Sequence, residues 1–402
     1  MAERRGEAPP RLIQDDAEFR DLVARLREQE RYAVDTEFHR ERTYFPHVAL
    51  VQIADSHGVA LVDALAVDLH PLAEVLEGPG LAVMHAARQD MEVLDRACGT
   101  VPSRLVDTQI AAGLVGIEYP VGLRNLILQI IGGTPKRHET RTDWRRRPLS
   151  QRQIDYALDD VRHLRTIRDK LHARLTELGR LEWLHDEMAR WQGEVEQFLL
   201  HERWRRLSGS SGMDRKSMAI ARELWRWRES EAERRDCPPR RVLRDDLLIE
   251  LAKRQSADEK RIRAVRGFDR RNLAKLIPEI ARHIARALEE PEDHWPAKAV
   301  VEPKPQFSVL GQFLFSALGS VARQSELAPS LVGSPNDIRD LIAYRTGNNH
   351  PGPPPILAVG WRARLVGRLF DDLLAGRVSV RIDDPKSDHP LAFDLAEEQR
   401  NR

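Results

Sequence analysis

The chain of 402 residues has only two cysteines, Cys98 and Cys237, and they lie in different segments. No cysteines or histidines have the spacing of zinc ligands, so neither a zinc site nor a disulfide scaffold is expected. No apolar run reaches transmembrane length, and the N-terminal MAERRGEAPP has no apolar signal core. The absence of a GxxxxGKS or GxxxxGKT loop excludes a helicase. We therefore expect a cytoplasmic protein that does not enter a membrane.

An excess of charge of one sign is also missing, because 64 Lys and Arg nearly balance 63 Asp and Glu. Net charge therefore gives no indication of nucleic-acid binding, but the local distribution does. From Arg137 to Arg152 there are six arginines against two acidic residues. Arginine binds phosphate through paired hydrogen bonds. High arginine content can equally reflect a GC-rich genome, so this cluster alone does not decide between the two.

The first half of the chain predicts a mixed α/β sheet. Apolar runs bounded by turn residues predict strands at Tyr32–Phe38, Val48–Ala54, Val59–Val62, Leu81–Met84 and Arg104–Thr108. Apolar residues at helical spacing predict helices over residues 11–30, about 88–98 and 153–175. Three successive strands followed by strand–helix alternation indicate a mixed sheet with helices on both faces.

The length predicts two or three domains. We place the α/β domain at residues 10–207, and the flexible sequence SGSSG follows it at 208–212. A small all-α domain is expected at 213–290. A linker rich in Pro and Glu, at about 289–305, then leads to a second small, mainly helical domain at 306–394.

Four carboxylates close or interrupt apolar runs, where an acidic side chain is costly. Asp35 and Glu37 alternate on the first predicted strand, so both point to one face of the sheet. Asp90 follows a buried strand, and Asp160 lies one helical turn after Tyr156. Carboxylates held close together raise each other's pKa unless a cation neutralises them. Oxygen ligands suit Mg²⁺ or Mn²⁺, and carboxylates around two such ions are typical of phosphodiester hydrolysis.

Each of these residues also has a simpler interpretation. An acidic pair on an exposed strand face is common, an acid at the start of a helix often only caps it, and a helical tyrosine is more often packed than catalytic. Asp159 is the neighbour most easily confused with Asp160, but it turns further from the apolar stripe of the helix. Asp107, at the end of another strand, is interpreted as structural.

The three carboxylate motifs resemble those of the DEDD superfamily of exonucleases: DTE in the first strand, an isolated Asp90, and YALDD in a late helix. The tyrosine four residues before the last aspartate is typical of the tyrosine subclass. The surrounding sequences DTEFHRERTYFPHVALVQIAD, VDTQIA and ETRTDWRRRPLSQRQIDYALDDVRHL closely resemble ribonuclease D. The sequence ELWRWRESEAERRDCPPRRVLRDDLLIELA resembles the helicase-and-ribonuclease-D C-terminal (HRDC) domain, a helical nucleic-acid-binding module.

This resemblance implies a ribonuclease H-like fold for residues 10–207, an HRDC domain at 213–290 and a possible second HRDC-like module at 306–394. It implies that Asp35, Glu37, Asp90 and Asp160 bind two divalent ions, Mg²⁺ or Mn²⁺, and that Tyr156 orients the attacking water. The implied reaction is 3′→5′ hydrolysis of RNA ends to nucleoside 5′-monophosphates. Transfer RNA precursors or other small stable RNAs are the implied substrates, and we expect a monomer.

Further residues are candidates for nucleic-acid contacts. Some follow the first catalytic strand, one follows a buried strand, three precede the Tyr156 helix and one lies in the second domain. They are His39, Arg40, Arg42, His85, Arg145, Arg146, Arg147 and Trp225. Phosphate neutralisation dominates nucleic-acid affinity, and aromatic side chains can stack on bases. For each residue, a solvated loop or a packed side chain is the alternative.

Two other functions fit the sequence. The first is a 3′→5′ exodeoxyribonuclease, since similar catalytic domains act on DNA and the 2′-hydroxyl contact that would distinguish RNA cannot be located. The second is a non-catalytic nucleic-acid-binding protein with an inactive nuclease fold. The complete set of four carboxylates and Tyr156 argues against the second.

Overall fold

The computed structural model describes residues 11–132, 142–200, 203–210, 212–268, 271–296, 307–346 and 353–395. Residues 139–141 of the ETRTDWRRRP motif and 297–305 of the predicted linker lie outside these ranges. The chain forms two compact units. The first contains residues 1–37, 50–195 and 303–402, and the second contains residues 38–49 and 196–302. The domain boundaries derived from the sequence stay predictions.

A six-stranded mixed sheet is the centre of the first unit, in the order β1-β4-β3-β2-β5-β6. Its strands are β1 Arg11–Ile13, β2 Arg31–His39, β3 His47–Ala54, β4 Val59–Val62, β5 Leu81–Met84 and β6 Leu105–Asp107. β1 pairs with β4, β2 with β5, and β5 with β6 in parallel, whereas β3 and β4 are antiparallel. The expected mixed sheet flanked by helices is confirmed.

The register of the parallel strands determines which side chains meet at one edge of the sheet. Ala33 of β2 pairs with Val83 of β5, and Met84 of β5 pairs with Asp107 of β6. Asp35 and Glu37 therefore lie on β2 just beyond its pairing with β5. Because parallel strands end at the same edge, the segments that follow β5 and β6 come close to the two acids.

Helices of the first unit surround the sheet and also make up most of the C-terminal segment. They are α1 Asp16–Arg27, α2 Ala73–Leu76, α3 Arg88–Cys98, α4 Thr108–Gly113, α5 Leu123–Ile131, α6 Gln151–Arg162, α7 Leu164–Glu177, α8 Leu181–Leu200, α15 Phe307–Gln324, α16 Pro329–Val332, α17 Pro335–Thr346, α18 Gly360–Arg362 and α19 Arg368–Leu374. The last residues of α8 belong to the second unit. In the described ranges no helix is both long and apolar enough to cross a membrane.

The structure differs from the sequence-based expectations at three places. The predicted helix over 11–30 is wrong at its start, because Arg11–Ile13 forms an edge strand and Asp15 caps a helix that begins at Asp16. The predicted helix over 153–175 is two helices, α6 and α7, which meet at His163. The C-terminal segment contains a two-stranded antiparallel hairpin, β7 Val378–Ile382 and β8 Leu391–Leu395, besides its helices.

The C-terminal segment packs on the α/β part of the first unit through buried contacts. The Arg362 guanidinium donates to both carboxylate oxygens of Glu187 on α8, at 2.5 and 2.9 Å. Trp183 and Trp361 stack with their ring centroids 5.1 Å apart. The main-chain N–H of Ala328 donates to the carbonyl oxygen of Gly113 at 2.9 Å. This segment is therefore part of the first unit.

The second unit is helical and has its own core. Its further helices are α9 Arg215–Arg234, α10 Pro239–Val242, α11 Asp245–Arg254, α12 Glu259–Arg263, α13 Arg271–Ala274 and α14 Ile277–Glu289. Leu224, Trp227, Ile280 and Ile284 are among the buried residues of this core. Tyr44 packs against it, and the Tyr44 hydroxyl donates to Glu229 at 3.2 Å.

Candidate active site

Asp35, Glu37 and Asp160 form a cluster of carboxylates in the first unit. β2 supplies Asp35 and Glu37 on one face, and α6 supplies Asp160. One carboxylate oxygen from each of the three residues lies within 4.8 Å of the other two. This separation places three side chains within reach of a shared cation.

A capped N-terminus begins the helix α6, which carries Tyr156 and Asp160. The Ser150 side chain caps the main-chain N–H of Gln153, and the Gln153 side chain accepts from the main-chain N–H of Ser150. This reciprocal pair is a capping box. Tyr156 and Asp160 follow one helical turn apart on α6. The Tyr156 hydroxyl donates to the Asp160 carboxylate. Asp159 instead forms an ion pair with Arg162 at 3.2 Å.

Asp90 lies in the first turn of α3 and is 6% exposed. The Thr36 hydroxyl donates to Asp90 Oδ1 at 2.5 Å, so β2 holds this side chain directly. The negative charge of Asp90 raises the pKa values of both Asp35 and Glu37. The structure therefore brings the fourth predicted carboxylate close to the other three.

Burial raises the pKa values of all four carboxyl groups, and neighbouring acidic side chains raise them further. Burial is the largest cause for each of them. The pKa of Asp35 lies well above its usual range, because Asp90, Asp160 and Glu37 add to the effect of burial. The pKa of Glu37 rises to about 9, that of Asp160 to about 7 and that of Asp90 to about 6. Four acids in this arrangement repel one another until a cation neutralises them.

The donor set fits a hard divalent cation. All the candidate ligand atoms are carboxylate oxygens, which Mg²⁺ and Mn²⁺ prefer, and their mutual repulsion is what such an ion would remove. Burial also raises the pKa of Tyr156, with further contributions from Asp160, Glu37 and Asp35. The Tyr156 hydroxyl therefore keeps its proton at neutral pH and can act as a hydrogen-bond donor.

The arginine candidates before α6 differ in their contacts. Arg147 forms a bidentate pair with Asp63, with its Nε donating to Oδ2 at 2.7 Å. The Arg145 side chain is paired with Asp143, at 2.9 and 3.1 Å. Arg146 is exposed. The Arg147 pair holds the entry to α6 against the end of β4, which gives this residue a structural task.

His85 uses both ring nitrogens within the first unit. Its Nδ1 lies 2.9 Å from the Thr108 hydroxyl and its Nε2 lies 3.0 Å from the Val121 carbonyl oxygen. Burial lowers the pKa of the His85 ring. His85 is thus a hydrogen-bonded, partly buried histidine, which is the simpler of its two interpretations. Its contact with nucleic acid stays a prediction.

The remaining candidates lie in the second unit. His39 is the last residue of β2, and Arg40 and Arg42 are exposed in the segment that follows it. Trp225 is partly buried and packs against the helical core. Part of the Trp225 ring is therefore covered by packing, whereas the side chains of Arg40 and Arg42 lie at the surface. Their contacts with nucleic acid stay predictions.

Sequence reasoning did not identify two residues that shape the site. Strand alternation directs Thr36 away from Asp35 and Glu37, yet its hydroxyl binds Asp90. Trp144 is buried with its ring centroid 6.0 Å from that of Tyr156, and its separation in sequence concealed the contact. Asp107, which the sequence analysis interprets as structural, accepts from main-chain N–H groups in the turn before α3.

Comparisons with known proteins agree with this geometry. Residues 10–176 match the 3′–5′ exonuclease family, and residues 217–284 match the HRDC domain. Ribonuclease D from Granulibacter bethesdensis is 34% identical over 391 residues, which cover 93% of this chain and 95% of that protein. The chain belongs to the ribonuclease D family. Ribonuclease D from Acidiphilium cryptum is also 34% identical, over 92% of this chain and 94% of its own length.

The fold of the family is present over nearly the whole chain. The crystal structure of Escherichia coli RNase D, described as an exoribonuclease involved in structured RNA processing, matches with a TM-score of 0.80. The match has 27% sequence identity and covers 92% of this chain and 99% of that structure. The expected exonuclease domain and the expected HRDC domain are thus confirmed, and the chain is a 3′–5′ exoribonuclease.

Proposed function

We propose that this exoribonuclease removes nucleotides from RNA 3′ ends as nucleoside 5′-monophosphates, with Asp35, Glu37, Asp90 and Asp160 as ligands of two divalent ions. The observation that carries the proposal is the approach of carboxylate oxygens from Asp35, Glu37 and Asp160 to within 4.8 Å of one another. Asp90 adds a fourth carboxylate, held by Thr36. Mg²⁺ and Mn²⁺ are the ions that such ligands select.

When bound, divalent ions supply Lewis-acid stabilisation of the attacking and leaving oxygens of the phosphodiester. The residues of the chain position the terminal phosphate and the attacking water. Asp160 and the two acids of β2 define where the terminal phosphate lies. Tyr156, which is protonated at neutral pH, donates its hydroxyl hydrogen to Asp160, and its hydroxyl oxygen accepts from the attacking water and orients it toward the phosphorus. Catalysis is therefore by positioning and electrostatics, with no covalent enzyme intermediate.

We further propose transfer RNA precursors or other small stable RNAs as substrates, cleaved by a monomer in the cytoplasm. The described role of Escherichia coli RNase D in structured RNA processing supports this choice. The HRDC domain supports it as well, since a separate helical module can hold a folded RNA while the 3′ end is trimmed. The arginine candidates for phosphate contact are the exposed Arg40, Arg42, Arg145 and Arg146, together with the partly buried Arg147.

The test combines a metal titration with product analysis. We expect calorimetric titration with Mn²⁺ to give two sites per chain, and Asp35→Asn to lose at least one of them. We expect a transfer RNA precursor with a 3′ extension to be shortened to the mature end, with nucleoside 5′-monophosphates as the small product. One site in the wild type would contradict the two-ion arrangement. Trimming of unstructured RNA but not of the precursor would contradict the proposed substrate class.

A further inference from the structure

The Asp107 carboxylate is buried and satisfies three main-chain donors. It is 2% exposed, at the end of β6. Its Oδ1 accepts from the N–H of Ala86 at 3.0 Å and of Gln109 at 2.8 Å. Its Oδ2 accepts from the N–H of Ala87 at 3.0 Å. The bond to Gln109 caps α4, but the other two bonds reach across to the segment that leaves β5.

That segment has an unfavourable backbone conformation. Ala86 has a φ of 56°, in the left-handed region that residues with a Cβ rarely adopt. Such a conformation is sterically unfavourable for a residue other than glycine, because the Cβ comes too close to the following carbonyl oxygen. Ala86 and Ala87 directly precede α3, which begins at Arg88. The two hydrogen bonds that Asp107 accepts from Ala86 and Ala87 therefore stabilise the left-handed turn before α3.

This turn determines where Asp90 lies, because Asp90 is in the first turn of α3. The Thr36 hydroxyl holds the Asp90 side chain from β2, at 2.5 Å. The Asp107 carboxylate holds the backbone that leads to Asp90 from β6. Asp90 is thus fixed from β2 and β6, the two strands on either side of β5, once through its side chain and once through its main chain.

We propose that Asp107 is a positioning residue of the active site, which holds Asp90 at the distance that metal binding requires. It does not touch the reacting atoms and acts through the turn at Ala86 and Ala87. The inference rests on the proposed role of Asp90 as a metal ligand. Residues that orient the ligands of a metal typically contribute about 10- to 100-fold to metal affinity or activity.

Asp107→Asn separates this role from simple helix capping. Asparagine keeps Oδ1, which serves Ala86 and the cap at Gln109, and replaces Oδ2, which serves Ala87. Asp55→Asn is a matched control. Asp55 is also a buried aspartate after a strand, and it accepts from the N–H of His57 and Gly58 in the turn between β3 and β4. Both variants replace one carboxylate oxygen of a buried aspartate: Asp107→Asn loses the oxygen that accepts from Ala87, and Asp55→Asn loses the oxygen that pairs with Arg25.

We expect Asp107→Asn to raise the Mn²⁺ dissociation constant at least tenfold by calorimetry, with a matching rise in the Mg²⁺ concentration for half-maximal RNA cleavage. Hydrogen exchange of the amides from Ala86 to Asp90 should become faster. Asp55→Asn should lower the melting temperature and leave the metal titrations unchanged. If Asp107→Asn does not fold, Ala86→Gly is added to it, because glycine adopts the turn without strain and should restore folding.

A loss of melting temperature with wild-type metal affinity would show that Asp107 only supports the fold and would overturn the proposal. A wild type that cleaves RNA but binds no Mn²⁺ or Mg²⁺ would instead refute the metal site itself. Both Asp107→Asn and the double variant with Ala86→Gly are informative. Weak metal binding in either one, beside normal binding in Asp55→Asn, supports the positioning role.

Discussion

Asp35, Glu37 and Asp160 are held together although their charges repel one another. Burial raises the pKa values of all three, and the neighbouring acids raise those of Asp35 and Glu37 further. A fold selected only for stability would not retain this cluster. Functional sites often contain such unfavourable arrangements, which lower stability in exchange for binding and catalysis. For the metal-free protein the consequence is a stability that depends on pH.

We predict that Asp160→Asn stabilises the metal-free protein at pH 8, by about 2–4 °C in melting temperature. A carboxyl group whose pKa is raised on folding binds its proton more tightly in the folded state. Its contribution to the free energy of unfolding is therefore present at low pH and is lost as the pH rises through the folded pKa. The folded pKa values are about 7 for Asp160 and about 9 for Glu37.

The gain in melting temperature of Asp160→Asn should consequently be smaller at pH 5 than at pH 8, because at pH 5 the carboxyl groups of the folded wild type are protonated. Thermal unfolding in the presence of chelator measures it. Saturating Mg²⁺ should reverse the order at pH 8, since metal stabilises the wild type more than the variant. A variant that is less stable than the wild type at both pH values without metal contradicts the electrostatic account.

Tyr156→Phe should separate water orientation from metal binding. Removing the hydroxyl leaves the carboxylates in place but removes the donor that hydrogen-bonds to Asp160. We expect kcat to fall about a hundredfold, as for loss of one positioned donor in other active sites, while KM for RNA changes little. Single-turnover kinetics and Mn²⁺ calorimetry measure the two effects. A weakened metal affinity with an unchanged kcat at saturating metal would contradict the assigned role.

At the scale of elements, α6 shows what could be predicted and what could not. Its catalytic face followed from the four-residue spacing of Tyr156 and Asp160. Its end at His163 did not, because apolar spacing continues into α7 and the break depends on packing. The strands of the six-stranded sheet were predicted within a residue or two, except β1, and the hairpin of β7 and β8 was not predicted. Arg11–Ile13 is extended only because it pairs with β4, a contact that local sequence does not encode.

We predict that Ser150→Ala lowers the free energy of unfolding by about 1 kcal/mol, as loss of a helix N-cap does. The capping box of Ser150 and Gln153 begins the helix that carries Tyr156 and Asp160. Ser150→Asp is the matched control, since aspartate keeps an acceptor at the cap. Denaturant unfolding of the wild type, Ser150→Ala and Ser150→Asp measures the free energy of unfolding of each. Equal stability of Ser150→Ala and the wild type would mean that packing alone fixes the start of α6.

At the scale of the whole molecule, the C-terminal segment packs within the first unit through contacts that local sequence does not reveal. The sequence analysis places a separate helical domain at 306–394, and that boundary stays a prediction. The decisive contacts join residues far apart in sequence, such as Glu187 with Arg362 and Trp183 with Trp361. No local pattern indicates that these residues meet.

We predict that Arg362→Met destabilises the protein by about 3 kcal/mol, because removing one partner leaves a buried charge poorly compensated. Glu187 is 1% exposed and keeps Arg190 as a second partner, which moderates the loss. The double variant Glu187→Met with Arg362→Met should lose less than the sum of the single variants. Chemical unfolding of the four proteins measures this coupling. Strictly additive losses would contradict a specific ion pair.

The central claim is that the carboxylate cluster performs metal-dependent hydrolysis from the 3′ end of RNA. Its most direct test is cleavage of a 5′-labelled RNA and the matching DNA by the wild type and Asp160→Asn, with Mg²⁺ or with chelator. We predict a ladder that shortens from the 3′ end of RNA, requires Mg²⁺, and is absent in the variant. Cleavage of RNA that persists in chelator or in folded Asp160→Asn, or faster loss of DNA than of RNA, would contradict the account.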